Sequence, residues 1–325
     1  MGILNFFGKK NDYEPADIFL RLRNQIFSLT RNEISSLLEP SSPLISVVME
    51  SGYKDAVVTL VAVGDGTVSL YFSNGGGMIG LGQYEPVRNA SLDLLSFANR
   101  FLSKAQPTRD YPLPSRGYTN FYFITSKGTF YSRAKEDDLG NNRHPFSPLF
   151  LKGHAVISQA RLVEEKRKKD FQELMHAVTT GDQGKVSTLL PILPDPDISD
   201  PTGLTPLMAA AHSGQDQIVK QLLDRKATID KKDSDGYTAL MFACNAGQLA
   251  CVQVLLEHGA KVNATDNDNS TPIMFAAQHG YNDIVKYLLG RGADPAFVGK
   301  HGLSAVGFAK QNNLVETEKI LLGQR

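Results

Sequence analysis

The sequence predicts two halves of different fold class, an α+β N-terminal domain with an antiparallel sheet and, joined to it by a helix, an all-α repeat solenoid. Three observations predict this division. Gly203, Gly236, Asn269 and Gly302 recur every 33 residues, and a fixed period of this size is typical of a solenoid. The first half has no such repeat and shows strand-like runs between glycine turns. A charged stretch of about 25 residues without glycine or proline separates the halves.

Length and charge limit the classes of protein and partner. At 325 residues the chain is long enough for two domains. Its 34 basic and 34 acidic residues cancel, so we expect no nucleic-acid partner. No secretory signal and no long apolar run is present, and we expect no integral membrane association. The 2 cysteines cannot build a disulfide framework, which favours a reducing, cytoplasmic location.

Each repeat begins with a helix whose two ends are marked. Thr205, Thr238 and Thr271 stand at the expected N-cap, and Pro206 and Pro272 occupy the first helical position, where the missing N–H costs nothing. The helix is expected to end at Gly214, Gly247 and Gly280. A second helix follows, as in QIVKQLL and DIVKYLL, with apolar residues spaced by three and four.

From about residue 168 to 325, these motifs resemble the ankyrin repeat family. The resemblance rests on the 33-residue period, the Thr-Pro-Leu phrase, paired leucines such as Leu222-Leu223, and Gly-Ala turns. One departure recurs, since Met208, Met241 and Met274 stand where the family's T-P-L-H phrase has histidine. We expect apolar packing of the methionines to replace the imidazole hydrogen bonds.

The resemblance implies binding of a protein partner through the concave side of the first helices and the tips of the turns. Carried over by position, the partner-binding residues of the two central repeats are Ser234, Asp235, Tyr237, Asn245, Asn267, Asp268, Ser270, Gln278 and His279. Those of the flanking repeats are Thr202, Leu204, His212, Ser213, Lys300, His301 and Leu303. Tyr237 is the aromatic residue of this set and the expected anchor.

The predicted domains are 1–150, a charged helical linker over 151–169, and a repeat domain over 170–325 with a divergent cap and four repeats. The last repeat has Thr317-Glu318 where an internal one has Ile218-Val219. We expect this outer face to meet water, as a solenoid end should.

In the first half the predicted order of elements is helix, strands, helix, strands, helix. The spacing of apolar residues predicts helices over 16–38 and 86–105. LISVVME, DAVVTLVAV and TVSLYFS predict three strands, the last two joined by an Asp-Gly turn at 65–66. NFYFIT and TFYSR predict a second hairpin.

The stretch LYFSNGGGMIGLG raises a nucleotide or phosphate site as an alternative. Gly75, Gly77 and Gly80 satisfy G-x-G-x-x-G, and the candidate ligand loop comprises Asn74, Gly75, Gly76, Gly77 and Gly80, with Arg88 nearby. The context argues against a dinucleotide fold, because the preceding strand belongs to a hairpin and the next strand ends in Thr125-Ser126 without an acidic residue.

The sequence predicts no catalytic, metal or cofactor site. Ionisable residues of the first domain show no nucleophile–base spacing, and His212, His279 and His301 share no ligand pattern. Cys244 and Cys251 are predicted to be core residues. We therefore expect a non-enzymatic protein that binds a protein partner. Ligand sensing by the first domain is the alternative, and catalysis or self-association through that domain stays open.

Overall fold

The computed structural model describes residues 16–28, 43–193 and 195–323. The chain divides into two compact units, Met1–Lys166 and Arg167–Arg325. In the first unit the helices are α1 (Asp17–Phe27), α2 (Glu85–Ala98), α3 (Glu136–Gly140) and α4 (Ser147–Thr180), the last of which continues into the second unit. Its strands are β1 (Leu44–Gly52), β2 (Val57–Val63), β3 (Val68–Phe72), β4 (Gly77–Met78), β5 (Gln106–Thr108), β6 (Tyr118–Thr125) and β7 (Gly128–Lys135).

The strands form one antiparallel sheet in the order β4-β3-β2-β1-β6-β7-β5. β1 lies at the centre, with Val48 opposite Val61 of β2 and Tyr122 of β6. Every residue of β1 is buried, as expected for a strand covered on both faces. The antiparallel α+β fold class predicted from the sequence is confirmed.

Side chains of β1 alternate between two apolar cores. Val47 and Met49 join the larger core with residues of α2 and α4. Val48 joins the smaller core on the opposite face, which Phe19 and Ile26 of α1 cover. The period of two along the strand thus assigns one helix layer to each face.

A buried ion pair fixes α1 to the sheet. Arg23 Nε and Nη2 donate to the two carboxylate oxygens of Glu50 at 2.6 and 2.8 Å, and Glu50 is fully buried in β1. Arg23 Nη2 also donates to the carbonyl of Tyr111, and Thr59 Oγ1 donates to Glu50. The two charges therefore satisfy each other and the polar groups around them.

The described residues test some of the expected element boundaries of this unit and not others. The described part of the first helix ends at Phe27, and residues 29–38 of the prediction lie outside the described residues. The helix expected over 86–105 is α-helical only to Ala98 and continues as a 3-10 helix, Asn99–Lys104. The glycine stretch contains the short edge strand β4, and the connection after α2 contains β5.

The second unit consists of helix pairs. After α4 come α5 (Gln183–Leu189), α6 (Pro206–His212), α7 (Asp216–Asp224), α8 (Ala239–Asn245), α9 (Leu249–Glu257), α10 (Pro272–His279), α11 (Asn282–Gly290), α12 (Ala305–Gln311) and α13 (Val315–Leu321). One apolar core of small and branched side chains runs through all of them, from Leu174 to Leu321. The all-α repeat region is confirmed.

The predicted helix starts and ends are present, although Thr271 stands at the N-cap of α10 without a hydrogen-bond partner for its hydroxyl among the described residues. Thr205 and Thr238 Oγ1 accept the backbone N–H of Met208 and Met241 at 3.3 and 3.4 Å. Gly214, Gly247 and Gly280 have φ of 74°, 73° and 73°, the left-handed conformation that ends a helix.

The methionines do more than pack. Met208, Met241 and Met274 are buried, and each sulfur accepts the backbone N–H of the capping threonine at 3.4, 3.5 and 3.4 Å. A thioether is a weak acceptor. It nevertheless pairs the buried backbone N–H of the threonine, at the position where the family's T-P-L-H phrase has a histidine.

One expectation for the last repeat is wrong. Thr317 is buried at 1% exposure, and its hydroxyl donates to Asn282 Oδ1 at 2.7 Å. The polar residue therefore makes a hydrogen bond to the preceding repeat, while Val315 and Glu316 face solvent.

Cys244 and Cys251 are buried core residues, as predicted.

Candidate protein-binding surface

An aspartate organises each of the first three turns of the repeats. Asp233 Oδ1 accepts the N–H of Asp235 and Tyr237 at 3.0 and 2.7 Å. Asp200 and Asp266 make the equivalent pairs of bonds in their own turns. The carboxylate closes the turn by capping two backbone donors. Gly299 occupies the corresponding position of the fourth turn.

A ladder of backbone hydrogen bonds joins successive turns. The N–H of Ser234 donates to the carbonyl of Thr202 at 2.9 Å, and the N–H of Asn267 donates to Asp235 at 3.0 Å. The N–H of Lys300 donates to Asp268 at 2.8 Å. Each bond spans about one repeat, so the turn tips are held side by side as one surface.

Three aromatic rings meet where the turns join the first helices. The Tyr237 ring lies 5.7 Å from Phe242 and 5.3 Å from Phe275, centroid to centroid, in tilted arrangements. His212 meets Phe242 edge-on at 6.1 Å. Tyr237 and Phe242 are half-buried, while Phe275 is 9% exposed. The rings thus support one another and leave part of their surface accessible.

Sequence reasoning included Tyr237 and missed the two phenylalanines. The signal was present, because Phe242, Phe275 and Phe308 follow the 33-residue period, one residue after the methionine position in the first two cases. Small residues predominate elsewhere along the first helices of the repeats. An aromatic residue that recurs at one position of the repeat therefore indicates a ring on the surface that the first helices form together.

None of the other predicted partner-binding residues is buried. Exposed side chains belong to Thr202, His212, Ser234, Asp235, Asn267, Asp268, His279, Lys300 and His301. Half-buried ones belong to Leu204, Ser213, Asn245, Ser270, Gln278 and Leu303. His279 Nε2 lies 3.1 Å from Asn245 Oδ1, and Asn312 donates to the carbonyl of Gln278 at 2.9 Å, so these polar groups also link neighbouring repeats.

Some charged side chains at the turn tips make hydrogen bonds or ion pairs, and others do not. Lys232 Nζ donates to the carbonyl of Thr265 at 2.6 Å, and Lys300 Nζ donates to that of Asn267. The Asp235 carboxylate accepts no hydrogen bond and makes no ion pair in the described part of the chain, and His301 lies 3.6 Å from Asp268. Burial raises the pKa of the Tyr237 hydroxyl, and the charges of Asp266, Asp235, Asp233 and Asp268 raise it further. These aspartates therefore impose a negative potential on the ring.

The candidate ligand loop forms a hairpin beside α1. The N–H of Phe72 donates to the carbonyl of Gly76 at 2.8 Å, and Gly75 has φ of 100°. Gly75, Gly76 and Gly77 line a groove of about 200 Å³ with apolar side chains such as Leu22 and Ile79. Asn74, Gly80 and Arg88 do not line it, so the groove brings together only the three adjacent glycines of the candidate set.

Within the described ranges, no group of three or more histidine, cysteine, aspartate or glutamate side chains could hold a metal ion. In the same ranges, no helix combines the length and apolar composition needed to cross a bilayer.

Comparison with protein families supports the reading of the second unit. Residues 174–266 and 226–298 match the family Ankyrin repeats, in three copies. The match does not extend into the N-terminal region. A sequence search of curated proteins returns no match. The chain therefore carries ankyrin repeats, which in general form a protein–protein interaction module.

Proposed function

We propose that this protein binds a protein partner through the concave and turn-tip surface of its ankyrin repeats, without catalysing a reaction. The observation that carries the proposal is the half-buried pair of rings Tyr237 and Phe242, backed by the buried ring of Phe275, among exposed polar side chains. Interface hot spots are rich in aromatic residues that neighbouring contacts shield from water.

The polar residues around the rings favour the same function. Asn245 and Gln278 are half-buried on the first helices, so a partner that covers them can form hydrogen bonds at low cost in side-chain ordering. The contact of Asn245 with His279 and the bond from Asn312 to the carbonyl of Gln278 link these residues to neighbouring repeats before binding. A preorganised surface loses less conformational entropy when a partner docks.

Affinity capture with the full chain tests this surface. A triple variant, Tyr237→Ala, Asn245→Ala and Gln278→Ala, should lose partners that the unmodified protein retains. The control variant carries Gln217→Ala, Glu257→Ala and Lys319→Ala, three exposed positions on or beside the second helices. It should retain those partners, and quantitative mass spectrometry compares the three proteins. Equal capture by both variants would contradict the proposal.

A second candidate function is ligand binding by the N-terminal unit. The groove beside the glycine hairpin favours it, and the apolar lining from Leu22 and Ile79 favours an apolar ligand over a phosphate. A thermal-shift screen should then show a shift with short-chain fatty acids and none with nucleotides, and Gly77→Val should remove the shift. A shift with nucleotides alone would contradict this preference.

A further inference from the structure

Aromatic rings and carboxylates lie together on the turn surface. We call the acidic aromatic patch the set Asp233, Asp235, Tyr237, Phe242, Asp266 and Asp268. The rings of Tyr237 and Phe242 are half-buried, and the side chains of Asp235 and Asp268 are exposed. Asp233 Oδ1 accepts the N–H of Tyr237 at 2.7 Å. The N–H of Asn267, which stands between Asp266 and Asp268, donates to the carbonyl of Asp235 at 3.0 Å, so the four aspartates lie on two adjoining turns beside Tyr237. Their charges raise the pKa of its hydroxyl.

In the described part of the chain, no lysine makes an ion pair with the carboxylates of this patch. Lys232 and Lys300 each donate to a backbone carbonyl of a neighbouring turn. Within the described part of the chain, His301 is the cationic side chain within 4.0 Å of these carboxylates, and it is charged only when protonated. The four carboxylates of the patch outnumber the two lysines, so the patch keeps a net negative charge.

We propose that the acidic aromatic patch binds a basic segment of the protein partner, with an arginine or lysine side chain against the Tyr237 ring and paired with Asp235 or Asp268. The inference rests on the proposed function. Aromatic faces attract cations, and a guanidinium can also donate two parallel hydrogen bonds to a carboxylate. The patch offers both groups to one side chain.

Other occupants fit the patch less well. A purely apolar helix would cover the exposed Asp235 carboxylate without offering it a partner, which is costly. Nucleic acid or an acidic peptide would bring negative charge to the same carboxylates. A basic segment alone matches both the charge and the rings.

The patch can be tested without disturbing the turns, because the structural and exposed aspartates are different residues. Asp233 and Asp266 close the turns through their side chains, whereas Asp235 and Asp268 make no such bonds. The variant Asp235→Asn/Asp268→Asn therefore removes charge and keeps shape. The control Glu257→Gln/Glu316→Gln removes the same charge at exposed positions elsewhere in the repeats.

The probe is a fluorescent twelve-residue peptide of arginine, glycine and serine, compared with the same peptide carrying glutamine or glutamate for arginine. Fluorescence anisotropy with the full chain should show binding of the arginine peptide at low salt and weakening as salt rises. The asparagine variant should bind at least about tenfold more weakly, while the control variant should bind as the unmodified protein does. Tyr237→Leu should weaken binding and Tyr237→Phe should not.

Arginine and glutamine peptides of equal affinity would overturn the inference, as would equal weakening by the control variant. The same holds if the glutamate peptide binds best. Affinity capture distinguishes failure of this inference from failure of the proposed function. If captured partners are lost with the triple alanine variant but retained by Asp235→Asn/Asp268→Asn at every salt concentration, the surface stands and the basic segment is wrong. If both variants retain every partner, both proposals are wrong.

Discussion

At the scale of single residues, the buried Arg23–Glu50 pair places two charges between α1 and the sheet. Arg23→Met would leave the Glu50 carboxylate, which is 0% exposed, without its cation. We expect the free energy of unfolding to fall by about 3–5 kcal/mol. Amide hydrogen exchange of β1 in the full chain measures the change in this unit.

The double variant Arg23→Met/Glu50→Met is the control for that prediction. Because it removes both charges together, it should be less destabilised than Arg23→Met alone. Exchange in β1 that is faster in the double variant than in the single one would show that packing around the pair, and not the stranded charge, dominates.

A second prediction concerns the thiol of Cys251. Burial raises its pKa from 9.0 to about 12, with a smaller contribution from Asp216. The folded protein thus holds this proton more tightly than the unfolded chain does. The stabilisation is complete below about pH 9 and is lost as the pH rises from 9 toward 12. The fall in thermal midpoint between pH 8 and pH 10.5 should be smaller in Cys251→Ala than in the unmodified protein. Equal falls in the two proteins would contradict the prediction.

Single residues also show which features can be predicted from the sequence and which cannot. Capping threonines and buried cysteines could be predicted, because their positions follow from the repeat. The pairing of Arg23 with Glu50 could not, since the two residues are 27 positions apart and depend on which face of β1 meets α1. Tyr237 was predicted as an anchor, but its contacts with Phe242 and Phe275 require the neighbouring repeat to be in place.

At the scale of the element, the turn closed by Asp266 gives a sharper test. Its carboxylate accepts the N–H of Asp268 and Ser270, and Asp266 is 7% exposed. Asp266→Ala leaves two donors unpaired and should cost about 2 kcal/mol of unfolding free energy, about 1 for each bond. Asp266→Asn keeps the acceptor oxygen and should cost clearly less.

Urea unfolding followed by far-UV circular dichroism compares these variants. Asp268→Ala provides the matched control, because its side chain is exposed and closes no turn. It should unfold at nearly the same urea concentration as the unmodified protein. If Asp268→Ala is as unstable as Asp266→Ala, the loss comes from removing charge at the tip and not from opening the turn.

Among the elements, boundaries were harder to predict than identities. Pro86 marked the start of α2, but nothing in NRFLSK shows that the chain tightens to a 3-10 helix at Asn99. The edge strands β4 and β5 are two and three residues long. Such short strands have no periodicity to read, and they exist because a longer neighbour offers free backbone groups.

At the scale of the whole molecule, the repeats have an apolar core separate from the two cores of the first unit. Leu255 is 0% exposed in the repeat core, and Leu60 is 1% exposed in the larger core of the sheet. Replacing either by alanine should cost about 2–5 kcal/mol. Leu255→Ala should speed amide exchange through α6 to α12 and leave β1 and β2 unchanged, while Leu60→Ala should do the reverse. Faster exchange throughout the chain in either variant would contradict separate cores.

The ladder between turns has a consequence for how the chain can change in length. Its bonds join residues 32 positions apart, as Ser234 to Thr202 and Asn267 to Asp235, because each turn meets the next at the same offset. Excising residues 238–270 would place Thr271 directly after Tyr237, and every remaining turn would still meet the next at the same offset. Removing a single residue instead would shift one partner of a bond and not the other. Duplication or loss of whole 33-residue repeats is therefore the route by which this surface can become longer or shorter and remain folded.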